Sequence, residues 1–220
     1  RQSVAVWVRA RGGGAYIGDA KKYDIDEYGY PKFVNNNYIE LEKIKSISKF
    51  RSGAGHDYSD DFETCRSMKH YFTIKHGEDP STVKVFSPVE GKITAIFEEW
   101  AGVQIWIRSD EHPAFEFILF HVNLKHPINI ADKVKAGQQI GTCATSTGDL
   151  AVGVLTPKGG KLISFLQVIT EPLFHRYKAR GINSRETLTL SAEERDSDPL
   201  NCIGQQFANN GNIENWVTLQ

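Results

Sequence analysis

Short β-branched and aromatic runs recur along the middle of this chain, each closed by a turn: 83–86, 91–97, 103–108, 115–121, 138–143 and 162–169. Runs of that length at that spacing predict a mainly β fold, an antiparallel sandwich or open barrel. Pro88 and Gly91 are the turn residues of a β-turn in Pro88-Val89-Glu90-Gly91, and Ala136-Gly137 opens another. Within 115–121 the period of two predicts that Phe115, Phe117, Leu119 and His121 share one face. An earlier run, 4–10, reads as a strand that breaks at Gly12-Gly13-Gly14.

Helical signals come late. Thr170 stands as an N-cap before Glu171-Pro172, basic residues follow, and Gly181 ends the segment, which predicts a short helix over 171–181. Ser191 and Glu194 have the spacing of a capping box and predict a second one ending before Asp198-Pro199. Asn209, Asn210, Gly211 and Asn212 predict a loop ahead of a docked terminal strand at Trp216-Val217. From Lys21 to Asn37 the chain is an ordered polar loop, with Tyr23, Tyr28, Tyr30, Phe33 and Tyr38 read as anchors rather than as a ligand platform.

Composition narrows the function classes. A chain of 220 residues buries a real core without staples. Its net charge of -1 gives no field that would draw it onto nucleic acid. No stretch approaches the roughly 20 apolar residues of a membrane span, so membrane insertion is not expected. The triple glycine lacks the Lys-Ser or Lys-Thr of a phosphate loop, and no Gly-x-Ser-x-Gly elbow occurs. Cys65, Cys143 and Cys202 form no C-x-x-C pair, which leaves a Cys65–Cys202 bridge with one free thiol or three buried thiols. A chain opening on Arg1 fits a removed leader peptide, a removed tag or a truncated chain; an extracellular or periplasmic location is the expectation.

Candidate chemistry concentrates in 51–61, where His56 is followed by Asp57, Asp60 and Asp61 among small residues. His56 and Asp60 are two donors of the kind zinc takes. Equally, one of the aspartates caps the following turn while His56 only hydrogen-bonds. His56-x-x-x-Asp60, then the Ser87–Ile93 hairpin motif, then His121 followed by Val134-Lys135-Ala136-Gly137-Gln138-Gln139-Ile140-Gly141, resemble in order the lysostaphin-type (LytM-like) zinc metallopeptidases, which cut peptides of bacterial cell walls. The resemblance covers roughly residues 50–170. It implies 1–49 as an N-terminal embellishment and 171–220 as a C-terminal extension. It also implies the lysostaphin-type fold, His56 and Asp60 as zinc ligands, and His121 as the lone active-site histidine.

The family's His-x-His pair is where the chain departs. The corresponding stretch contains Asp149-Leu150-Ala151, and Ala151 has no donor atom. Asp149 as a replacement catalytic or ligand residue, and His70, in an insertion over 65–72 ahead of the sheet, as a replacement ligand folding over the site, are the ways to rebuild a metal site. Without them, His56, Asp60 and His121 form a polar groove for a peptide, glycan or protein partner, with Trp100 as an exposed stacking residue and Trp106 as sheet packing. The leading expectation is therefore a non-hydrolytic relative with no cofactor. An active zinc peptidase with a rebuilt site is the second reading. A self-assembling protein using the 21–37 loop and the tail through Trp216 is the third.

Overall fold

The computed structural model describes residues 7–8, 15–16 and 22–220. Its strands are β1 (Trp7–Val8), β2 (Ala15–Tyr16), β3 (Ile44–Ser48), β4 (His70–Ile74), β5 (Lys84–Phe86), β6 (Gly91–Glu98), β7 (Val103–Ser109), β8 (Phe115–Leu124), β9 (Lys133–Val134), β10 (Gln139–Cys143), β11 (Thr147–Thr156), β12 (Gly159–Ile163), β13 (Cys202–Ile203), β14 (Gln206–Phe207) and β15 (Trp216–Thr218). The helices are α1 (Ile25–Tyr28), α2 (Glu171–Lys178) and α3 (Ala192–Ser197). The fold is mainly antiparallel β with few short helices, as the turn-punctuated runs predict. Of the predicted strand over 4–10, Trp7–Val8 pairs with Ala15–Tyr16; its other residues and the triple glycine lie outside the described residues.

One eleven-stranded sheet holds the molecule together, along the path β15-β3-β4-β11-β8-β7-β6-β9, with β10, β5 and β12 attached at its sides. The segments before residue 50 and after residue 170 thus supply β3 and β15 to the same sheet. β11 is central: β8 runs along one edge, while β4 and then β12 share the other. Both faces of these central strands are covered. Phe115, Phe117, Leu119, Leu150, Val152 and Val154 enter the larger core, and Trp106, Ile118, Phe120 and Ala151 enter a smaller one on the other side. Burial on both faces explains why β8 runs apolar without alternation from Phe117 to Phe120.

Three expectations need correction. His121 does not follow Phe115, Phe117 and Leu119 into the larger core. The β7–β8 register shifts between Val103 and Ile105, so β8 carries an extra residue there, and His121 adopts a left-handed φ of 53°. Such a bulge re-aims the side chain. His70, expected in an insertion ahead of the sheet, lies in β4, an interior strand. The run over 162–169 leaves the sheet at Ile163, where Ser164 accepts from Leu166 N and starts a 3-10 turn.

The helical predictions hold. α2 begins after Thr170, although the Thr170 hydroxyl bonds Asn35 Oδ1 instead of capping the helix. α3 has the full Ser191–Glu194 capping box. Cys65 and Cys202 form a disulfide, joining the segment ahead of β4 to the C-terminal region, and Cys143 is a buried free thiol.

Candidate functional site

A lysine ammonium lies inside the smaller core. Strand alternation in and just ahead of β4 sends Phe72 to the larger core and Lys69 and Tyr71 to the opposite face. Cross-strand register then sets Tyr71 and Phe120 on either side of Asp149. Lys69 is 1% exposed, and its Nζ donates to Asp149 Oδ2 at 2.6 Å. The rings of Phe120, Tyr71 and Tyr58 surround the ammonium at 4.0, 4.7 and 5.1 Å to their centroids. Burial alone would pull the lysine pKa down, but the Asp149 carboxylate and the tyrosines outweigh it and hold it above the usual range. The side chain is a buried ammonium paired with the Asp149 carboxylate.

His56 closes the group. Its Nδ1 is 3.0 Å from the Asp57 carbonyl oxygen and its Nε2 is 3.5 Å from Lys69 Nζ. A carbonyl only accepts and an ammonium only donates, so Nδ1 carries the hydrogen and the Nε2 lone pair faces Lys69. Burial, and next the Lys69 charge, lower the His56 pKa, which keeps the ring neutral. The small residues beside His56 have a steric reason: Gly55 has φ +73°, and a Cβ there would collide with the Tyr71 hydroxyl.

A second charged group sits across the cleft. His121 N donates to Glu99 Oε2 at 2.7 Å, and His121 Nδ1 is 3.1 Å from both that oxygen and the Ala101 carbonyl. Burial raises the Glu99 pKa, against the stabilising His121 contacts. The bulge that turns His121 away from the larger core places it beneath Trp100, with ring centroids 5.0 Å apart. Trp100 is 83% exposed, whereas Trp106 is 1% exposed in the smaller core, as the strand pattern around each predicts. His121, Asp149, Tyr71, Trp100 and Trp216 line one cleft of about 340 Å³, together with the 145–147 turn.

The predicted ligands do not converge. Asp60 Oδ1 accepts from Phe62 N and Glu63 N, and Oδ2 from Leu162 N, so its carboxylate caps a turn and ties it to β12. This is the capping role that the sequence allowed. His70 is fully buried, with Nδ1 on the Ser48 carbonyl oxygen and Nε2 on the Ser164 hydroxyl, both at 2.8 Å. Neither residue lines the cleft. His56, Asp149 and His121 do gather around it, His56 through Lys69. Among the described residues no three His, Cys, Asp or Glu side chains converge on a point that would hold a metal ion. A zinc ion does not fit the donors as arranged: the His56 lone pair and one Asp149 oxygen face an ammonium, and Ala151 packs in the smaller core with no donor.

Lys69, Glu99, Tyr71 and Trp216 are the site residues that the motif search misses. Lys69 and Tyr71 had one visible signal, the alternation of Lys69, Tyr71 and Thr73 against His70, Phe72 and Ile74. Nothing local marks Glu99, which holds His121 from a hairpin tip, or Trp216, which reaches the cleft on a terminal strand.

No protein-family model matches the chain, and no curated protein matches it. Among solved structures it is similar to Csd3 of Helicobacter pylori. The orthorhombic crystal gives a TM-score of 0.45 at 17% identity over 63% of this chain and 35% of that one. The hexagonal crystal gives 0.45 at 17% over 71% and 44%. The solution structure of lysostaphin is similar at a TM-score of 0.34 and 15% identity, over 56% of this chain and 52% of that one. The chain therefore spans less than half of either Csd3 structure and about half of the lysostaphin one.

Proposed function

We propose that this chain is a peptidase-like protein of the lysostaphin type that binds a peptide, glycan or protein ligand in the cleft between Trp100 and Trp216 without hydrolysing it. One observation carries the reading: the Lys69 ammonium lies between Asp149 and the Nε2 of His56, where those donors would otherwise be available to a cation. With Asp60 engaged by three backbone N–H groups, a zinc ion would have to displace a salt-bridged, fully buried lysine to gain two ligands. That exchange is unfavourable on both sides. The Cys65–Cys202 bridge supports residence in an oxidising compartment, extracellular or periplasmic.

Metal content tests the reading. Equilibrium dialysis against zinc, followed by elemental analysis of wild type and His56→Ala, is expected to give the same substoichiometric value for both. One zinc per chain that disappears in His56→Ala, together with cutting of a glycine-rich peptide, would overturn it.

A further inference from the structure

We infer that the occupant of this cleft is a neutral saccharide chain; the inference rests on the binding reading above and narrows it to one ligand class. Its first support is the pair of indoles. Trp100 is the most exposed large hydrophobic residue among those described, and Trp216 packs beside Tyr71 on the same cleft with ring centroids 6.4 Å apart. Trp100 is also held in place. Glu99, next to it, accepts from His121 N, Glu99 N donates to the Gly102 carbonyl, and Gly102 has φ +66° where a Cβ would strike Val122 O. An indole held in water on a rigid hairpin tip is a preorganised stacking surface.

Charge supplies the second support. Asp149 is paired with Lys69, and the Glu99 carboxylate is turned to His121 N and is not among the residues that line the cleft, so the wall presents no lone charge to a phosphate, a carboxylate or an ammonium. What it offers is hydrogen bonding. Lys69 takes Asp149 Oδ2 and leaves Oδ1 without a protein partner among the described residues, and Ser146 and Thr147 line the same wall. Flat apolar faces bordered by a carboxylate oxygen and hydroxyls match a pyranose, whose axial C–H groups stack while its equatorial hydroxyls bond sideways.

The Asp149 wall of the cleft is closed to an added peptide strand, although β15, which carries Trp216, is an edge strand of the sheet. Strand addition needs a free sheet edge. At the cleft, Asp149 and Leu150 of β11 are paired on both sides, to β4 and to β8.

The experiment is calorimetry with β-1,4-linked hexasaccharides of glucose and of N-acetylglucosamine, with a proline-rich peptide as competitor. At least one hexasaccharide is expected to bind one per chain, and Trp100→Ala to weaken it by about tenfold or more. Trp100→Ala is expected to melt as wild type does, because the side chain is exposed. Quenching of indole fluorescence in wild type, reduced in Trp216→Phe, gives a second reading. Failure of both hexasaccharides to bind, or unchanged binding by Trp100→Ala, overturns the saccharide assignment. If the peptide binds in their place, the assignment falls while the binding role stands; zinc-dependent cleavage of the peptide would remove the binding role itself.

Discussion

On one face of β4, β11 and β8 lie Phe72, Leu150, Val152 and Leu119, all with no accessible surface. On the other, the same strands and the residue ahead of β4 present Tyr71, Asp149, Phe120 and Lys69. The first face is filled by apolar contact, which scales with area and needs no partner geometry. The second buries an ion pair, whose desolvation penalty is commonly as large as its attraction. A chain of this length does not need such a pair to fold. Its benefit is positional: Lys69 fixes Asp149 at the cleft wall and neutralises it there. The comparison teaches that stability resides in the larger core, and that polar groups were placed in the smaller one to shape a site.

The largest effect should come from splitting the buried pair. Lys69→Met leaves the Asp149 carboxylate uncompensated and is expected to cost about 3–5 kcal/mol in urea unfolding. Lys69→Met with Asp149→Leu should recover most of that loss. Phe117→Ala, on the other face, should cost a comparable amount with no second change to restore it. A double variant as unstable as Lys69→Met would contradict the division between the faces.

His70 sharpens the comparison through pH. Burial lowers its pKa from 6.5 to about 4, against the Ser48 hydrogen bond. The folded state therefore prefers the neutral ring, and protonation favours unfolding. This contribution is complete above pH 6.5 and declines as pH falls through about 4, a total of about 3 kcal/mol. Unfolding free energies measured across that window should flatten in His70→Gln; an unchanged slope would assign the acid sensitivity elsewhere.

Asp60 gives the smallest of these effects. Asp60→Ala removes an acceptor for three backbone N–H groups and should cost about 1–2 kcal/mol, with Asp60→Asn milder. Melting of all three proteins should be insensitive to zinc and to chelator. A stabilisation of wild type by zinc that Asp60→Ala lacks would return Asp60 to the role of ligand.

Much of the fold was legible in local pattern. The runs that became β5, β6, β7, β8 and β10, the α3 capping box and the docked strand at Trp216 all follow from short-range preferences. The site was legible only in part. His56, Asp149 and His121 could be picked out as chemistry-bearing residues, and Trp100 as exposed. The use of Asp60 as a cap was one of two open readings, because donor type and spacing are the same for a ligand and for a cap.

Sequence by itself determined the alternation of apolar and polar positions, the turns and the caps, because each depends on residues a few positions apart. It also determined that Ala151 offers no donor atom in any conformation. Tertiary structure alone decided the rest. The bulge in β8 turned His121 from the larger core into the cleft, pairing of Cys65 with Cys202 tied distant segments together, and β4 carried Lys69 to Asp149 across 80 residues of chain. Those outcomes rest on register and long-range contact, and a one-residue change of register reverses which face a side chain meets.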